Sequence, residues 1–113
     1  NNKLYIKLMR EASSYLVGKN DFTSFCRKKS LTPCNVRTLV SLNIEENFDE
    51  KILLITADGF LRHMVRNIVG TLVEVGRGER CPDNLPVLIE SRDRRLAGPT
   101  VPSKGLILKE ICY

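Results

Sequence analysis

Between Val36 and Leu72 the apolar residues change from the period of a strand to the period of a helix, and that change limits the folds available. In "VRTLVSLNIEEN" the residues Val36, Thr38, Val40, Leu42 and Ile44, or their neighbours, face one side in alternation. "FDEKILLITADGF" reads as a second strand, and the "ENFDE" break between the two reads as a hairpin turn. The Asp58-Gly59 pair ends that strand. Directly after it, "FLRHMVRNIVGTLVEVG" carries Leu61, Met64, Val65, Ile68, Val69 and Leu72 at helical spacing, with Gly76 and Gly78 as stops. A hairpin followed by an amphipathic helix buries a sheet face against that helix, which predicts a layered α+β domain.

The flanking segments extend this pattern. Leu4 to Val17 reads as a first helix, from Leu4, Leu8, Ala12, Tyr15 and Leu16, with Gly18 as its stop. "DNLPVLIESRD" is a short helix with Asp83 or Asn84 as N-cap, "RRLAGPTVPSKG" a Gly/Pro/Ser loop, and "LILKEICY" a last strand. The expected order is α-β-β-α-α-β, a small antiparallel or mixed sheet with helices packed on it. Three strands make a thin sheet. A ferredoxin-like unit, β-α-β-β-α-β, has another strand before its first helix, so that strand is expected upstream of Asn1. The chain has 113 residues, 42% of them hydrophobic, enough for one core and one domain. It starts without methionine, which fits a piece of a longer protein.

No apolar run approaches the roughly 20 residues that cross a bilayer, and the N-terminal stretch lacks the apolar centre of a signal peptide. A soluble, cytoplasmic protein without membrane association is expected. The 18 Lys and Arg exceed the 13 Asp and Glu, for a net charge of +5. This moderate excess suits an anionic partner such as a nucleic acid without demanding one. Cys26, Cys34, Cys81 and Cys112 form no CxxC pair, and the single histidine, His63, is far from all of them in sequence. Reduced thiols and no metal site are the expectation.

No self-contained catalytic constellation is present: no GxSxG, no HExxH and no phosphate-binding glycine loop opening a helix. Arg62 and Arg66 are four apart and stack at the margin of the apolar arc of "FLRHMVRNIVG", while His63, Asn67 and Glu74 occupy its polar back. A margin arginine can lay its stem on the core and send its guanidinium outward. Spacing alone leaves open whether this is a core helix with a charged edge or one that aims an arginine into an active site. The basic triplet Arg27, Lys28 and Lys29 likewise reads as solvated loop charge or as phosphate contacts. A free-standing ferredoxin-like RNA-binding module and a structural or dimerisation domain are the alternative readings. The strands lack the run of stacking aromatics that the first would use.

The segments "DFTSF", "VRTL", "GFLRHMVRNIVGTLVEVGRG" and "SRDRRLAGPTVPSKGLIL", with the final Tyr113, resemble in order and distance the C-terminal half of the tRNA pseudouridine synthase A family. The resemblance runs from about Leu4 to Tyr113. It implies an isomerase that converts uridine to pseudouridine in the anticodon stem-loop of tRNA, with no metal and no organic cofactor, working as a homodimer. It also implies two related α/β halves joined in one continuous sheet with the active cleft between them. The chain, 1–113, is then the C-terminal domain.

The essential aspartate of such enzymes lies in an Arg-Thr-Asp-Lys-Gly-Val-like loop of the N-terminal half. Asp21, Asp49, Asp58, Asp83 and Asp93 stand in other contexts, so none inherits that role. By resemblance Arg66, in "MVRN", is the partner of that aspartate, and Leu106, in "KGLIL", lies against the target base. From the sequence alone Leu106 reads as a core strand residue. Arg62, His63, Arg27, Lys28, Lys29 and Lys104 are the candidate RNA contacts.

Overall fold

The computed structural model describes residues 5–26, 35–46, 51–60, 63–99 and 106–112. Helix α1, Ile6–Ser14, buries Met9 and Ala12 and stops short of Val17. In its last turn Ser13 Oγ donates to the Arg10 carbonyl at 2.8 Å and Ser14 Oγ to the Glu11 carbonyl at 2.6 Å, hydroxyls bonding back to the preceding turn. Gly18, at φ +109°, turns the chain straight into strand β1, Gly18–Asp21, a strand absent from the order expected from the sequence.

Strands β2, Val36–Glu46, and β3, Lys51–Ala57, form the expected hairpin, in register from Glu46 opposite Lys51 to Leu39 opposite Ala57. An ion pair of 3.3 Å between Lys51 and Glu46 sits on the rung next to the turn. Past the ladder's other end, Asp58 N donates to the Thr38 carbonyl at 3.1 Å, and the Asp58 carboxylate accepts from Thr38 N at 2.9 Å. The register shifts between Leu39 and Ser41, leaving Val40 as the extra, exposed residue. This bulge breaks the predicted alternation: Leu39, Leu42 and Ile44 are buried and Val40 is not.

Helix α2, Met64–Gly76, and helix α3, Asn84–Ser91, with a 3-10 turn at Arg94–Leu96, carry the chain over to strand β4, Leu106–Cys112. β4 pairs parallel to β3, and a parallel partner requires such a long crossover. Among the described residues the sheet runs β1-β2-β3-β4 and is mixed. The fourth strand is thus β1, which follows α1.

One face of the hairpin supplies Leu39, Leu42, Ile44, Leu53, Ile55 and Ala57 to the core. Against it pack Met64, Ile68, Leu72 and Val75 of α2, Leu85 and Leu88 of α3, and Phe22 and Phe25 around the 3-10 turn Thr23–Phe25. Each such large side chain contributes roughly 1.5–3 kcal/mol by leaving water. The outcome is the α+β sheet-and-helix layering read from the sequence.

Candidate functional site

The first turn of α2 is built against the usual rules for a helix start. Its N-cap residue, His63, stands in the left-handed region at φ 61° and makes no side-chain cap. No acidic residue occupies the turn. The first α-helical bond runs from Asn67 N to the His63 carbonyl at 3.0 Å. A helix N-terminus carries about half a positive charge from its aligned peptides, and an acidic side chain there is stabilising. Here the turn instead holds an exposed arginine, Arg66. The two positive contributions add, so this end of α2 favours an anion brought to it from outside the turn.

Other arginines are committed within the fold. Arg10 donates through Nε and Nη2 to the Ile44 carbonyl at 3.1 and 2.8 Å. Arg80 reaches Glu74 at 2.9 Å and the Leu96 carbonyl at 2.8 Å. Arg92 pairs with Asp21 and Arg95 with Asp93, each at 3.0 Å. None of the ion pairs among the described residues involves Arg66.

Next to Arg66, the side chain of Asn67 is buried, although the sequence reading put it on the polar back of the helix. Its Nδ2 donates to the Phe25 carbonyl at 2.8 Å, and its Oδ1 accepts from Arg94 Nη2 at 3.0 Å. The carboxamide bridges segments 42 residues before it and 27 after it. One turn later Thr71 Oγ1 donates to the Asn67 carbonyl at 3.0 Å and accepts from Gly98 N at 2.9 Å. Helical spacing carries no sign of these partners, so Asn67 and Arg94 were missed as site residues. The resemblance carried by "GFLRHMVRNIVGTLVEVGRG" and "SRDRRLAGPTVPSKGLIL" covers both residues but does not single them out.

Beside this network, the Asp21 carboxyl is held below the usual carboxylate range. Burial pushes it up, but hydrogen bonds from the Thr23 hydroxyl and amide, and from Arg92, outweigh that. Burial pushes the Cys26 thiol up, with Arg37 opposing. Cys26 and Cys81 are free thiols, and among the described residues no His, Cys, Asp and Glu cluster could hold a metal ion.

The candidates taken from the sequence fall in different places. His63, half-buried, is the residue directly before α2 and the turn of Arg66. Leu106 opens β4 opposite Lys51, at the hairpin-turn end of β3, whereas α2 follows the other end of β3. The ladder therefore does not bring Leu106 and Arg66 together within this chain. Arg62, Arg27, Lys28, Lys29 and Lys104 lie outside the described residues.

The described domain is a mixed-sheet α+β fold with an exposed arginine in the acid-free first turn of α2, an arrangement whose charge suits a carboxylate or phosphate. Comparison with known proteins gives the chain its class: it belongs to the tRNA pseudouridine synthase family, whose sequence model matches residues 12–113. Among curated relatives, tRNA pseudouridine synthase A of Clostridium acetobutylicum is 46% identical over 112 residues, covering 99% of this chain and 46% of that protein. The Bacillus velezensis protein of the same name is 44% identical, covering 97% of this chain and 44% of its own length. That of Vibrio parahaemolyticus is 46% identical, covering 95% and 40%. The chain spans less than half the length of these relatives. No helix among the described residues is long and apolar enough to cross a membrane.

Proposed function

We propose that the full-length protein isomerises uridine to pseudouridine in the anticodon stem-loop of tRNA, and that this chain, its C-terminal domain, supplies one side of the cleft. The observation that carries the reading is Arg66: exposed, in an acid-free first turn, in a chain of this family. The reaction breaks the bond from the ribose C1′ to N1 of uracil, joins C1′ to C5, and releases the C5 proton while N1 gains one. An aspartate acting as nucleophile or base beside a polyanion needs a fixed cation to keep it ionised and oriented. Arg66 provides that cation, and the positive end of α2 lowers the cost of placing a carboxylate there. The aspartate belongs to the half of the enzyme outside this chain. No step requires a metal or an organic cofactor.

By the family resemblance, Leu106 is the proposed apolar wall for a base withdrawn from its stack, although β4 sets it at the end of β3 away from α2 and Arg66. Arg62, His63, Arg27, Lys28, Lys29 and Lys104 are proposed phosphate contacts that orient the tRNA. The enzyme is proposed to act in the cytoplasm as a homodimer. The test is pseudouridine formation on an unmodified tRNA transcript, by the full-length protein and by this chain alone. The full-length protein should modify the anticodon arm and the isolated chain should not. Turnover by the isolated chain, or a full-length protein inert on tRNA, would reject the reading.

A further inference from the structure

A helix start whose N-cap residue makes no side-chain bond, and whose first turn holds an arginine and no acid, lacks two of the usual aids that keep such a turn wound. Arg66 can serve as a fixed cation only if that turn stays wound and keeps its rotation about the helix axis. The side chain in the described structure that meets this need is Asn67. It is 1% exposed, adjacent to Arg66 in the chain, and anchored to two segments outside the helix.

The anchoring is directional. An amide nitrogen faces the Phe25 carbonyl and an amide oxygen faces the Arg94 guanidinium. Rotating the carboxamide by half a turn would set oxygen against carbonyl oxygen and NH2 against guanidinium. Turning the helix about its axis would break both bonds. The Thr71 hydroxyl adds a second tie one turn on, binding the Asn67 carbonyl and the Gly98 amide together.

We propose that Asn67, held by Arg94, is a positioning residue for uridine isomerisation: it touches no substrate and acts by fixing the direction of Arg66. This rests on the role of Arg66 given above. Displacement of a reacting or charge-stabilising group by about 1 Å can cost on the order of a hundredfold in rate. Loss of one anchor should therefore lower kcat by about tenfold or more while leaving tRNA binding nearly intact, since phosphate contacts elsewhere govern that.

The experiment uses the full-length enzyme and measures kcat and KM for tRNA in Asn67→Ala, Arg94→Ala, Arg66→Ala, the double variant Asn67→Ala/Arg66→Ala, and Val75→Ala. The last opens a cavity at the far end of the same helix and controls for lost stability. Each is assayed well below its melting temperature. The expected result is a reduced kcat with little change in KM for Asn67→Ala and Arg94→Ala, near wild-type kcat for Val75→Ala, and a double variant no slower than Arg66→Ala alone. If Asn67→Ala does not fold, Arg94→Ala carries the test. Effects that multiply in the double variant, an equal loss in Val75→Ala, or single anchor variants at the wild-type rate beside an impaired Arg66→Ala overturn the positioning role and leave Arg66 standing. Arg66→Ala at the wild-type rate overturns both.

Discussion

The backbone of Gly70, in the second turn of α2, lies so close to Pro99 that a Cβ built on it would stand 1.6 Å from the Pro99 carbonyl oxygen. The approach is reciprocal: a Cβ on Gly98 would meet the Gly70 carbonyl oxygen and Thr71 N at 2.8 Å. Two glycines thus let the segment Ala97–Pro99 lie directly on the helix.

Gly70→Ala should destabilise the domain despite improving helix propensity by up to about 1 kcal/mol. The clash involves backbone on both sides, and overpacking of this kind costs about 1–3 kcal/mol or more. Thermal melts of Gly70→Ala and Gly78→Ala check this. Gly78, at φ +81°, faces open space, so alanine there bears only backbone strain of about 1–2 kcal/mol. A Gly70→Ala variant that melts at or above the wild type would contradict the close packing.

In the full-length enzyme, Arg66 and Arg62 should separate in their effects. A pair of ordinary surface arginines predicts small and similar losses. A cation facing the catalytic carboxylate predicts a loss of about 3 kcal/mol in the barrier, about a hundredfold in rate, for Arg66→Ala alone. Arg66→Lys should rescue in part, because an ammonium lacks the two-pronged geometry that matches a carboxylate. Single-turnover pseudouridine formation, with melts of each variant, gives the answer.

Affinity for tRNA should fall steeply with salt. A domain of net charge +5 that neutralises phosphates releases counterions as it binds, so log Kd should rise linearly with log salt concentration. Filter binding of the full-length protein across a salt series measures the slope. Charge reversal at Lys28 or Lys29 should flatten it if those residues reach the backbone, and an unchanged slope would remove them from the RNA surface.

Acid should weaken the domain partly through Asp21. Its folded-state pKa lies below the ordinary carboxylate value, so the stability it contributes is present above the unfolded pKa. That stability is lost as the pH falls through the folded pKa. Asp21→Asn should therefore lower the melting temperature at neutral pH and show a smaller further drop than wild type on acidification below about pH 4. Parallel curves for the two proteins would exclude Asp21 as a contributor.

The hairpin and α2 were legible because each buries one face of a regular element, so periodicity alone reports them. β1 was not, because "GKND" has no apolar alternation: the register of Gly18 with Leu39 and Asp21 with Val36 makes it a strand. Val40 was misplaced because a bulge costs one residue of register and leaves no mark in composition. The site divides the same way. Arg66 stood out through resemblance and stayed exposed, while Asn67 looked like a surface amide. A buried carboxamide is tolerated only where distant groups satisfy it, and Phe25 and Arg94 become its neighbours only after folding.

The parallel pairing of β4 has a consequence for the order in which the domain assembles. Each of its rungs, from Lys51 with Leu106 to Ala57 with Cys112, joins residues 55 positions apart, whereas the hairpin begins with partners 5 apart. By loop-closure entropy alone the wider ring costs about 2 kcal/mol more to close. Once Gly98 and Pro99 rest on α2, only residues 100–105 remain to be closed before β4 can zip. By that argument, the close approach the two glycines permit should shorten the search of the last strand. Pulse-labelled amide exchange during refolding should find β4 protected after β2, β3 and α2, and should find that delay lengthened in Gly70→Ala.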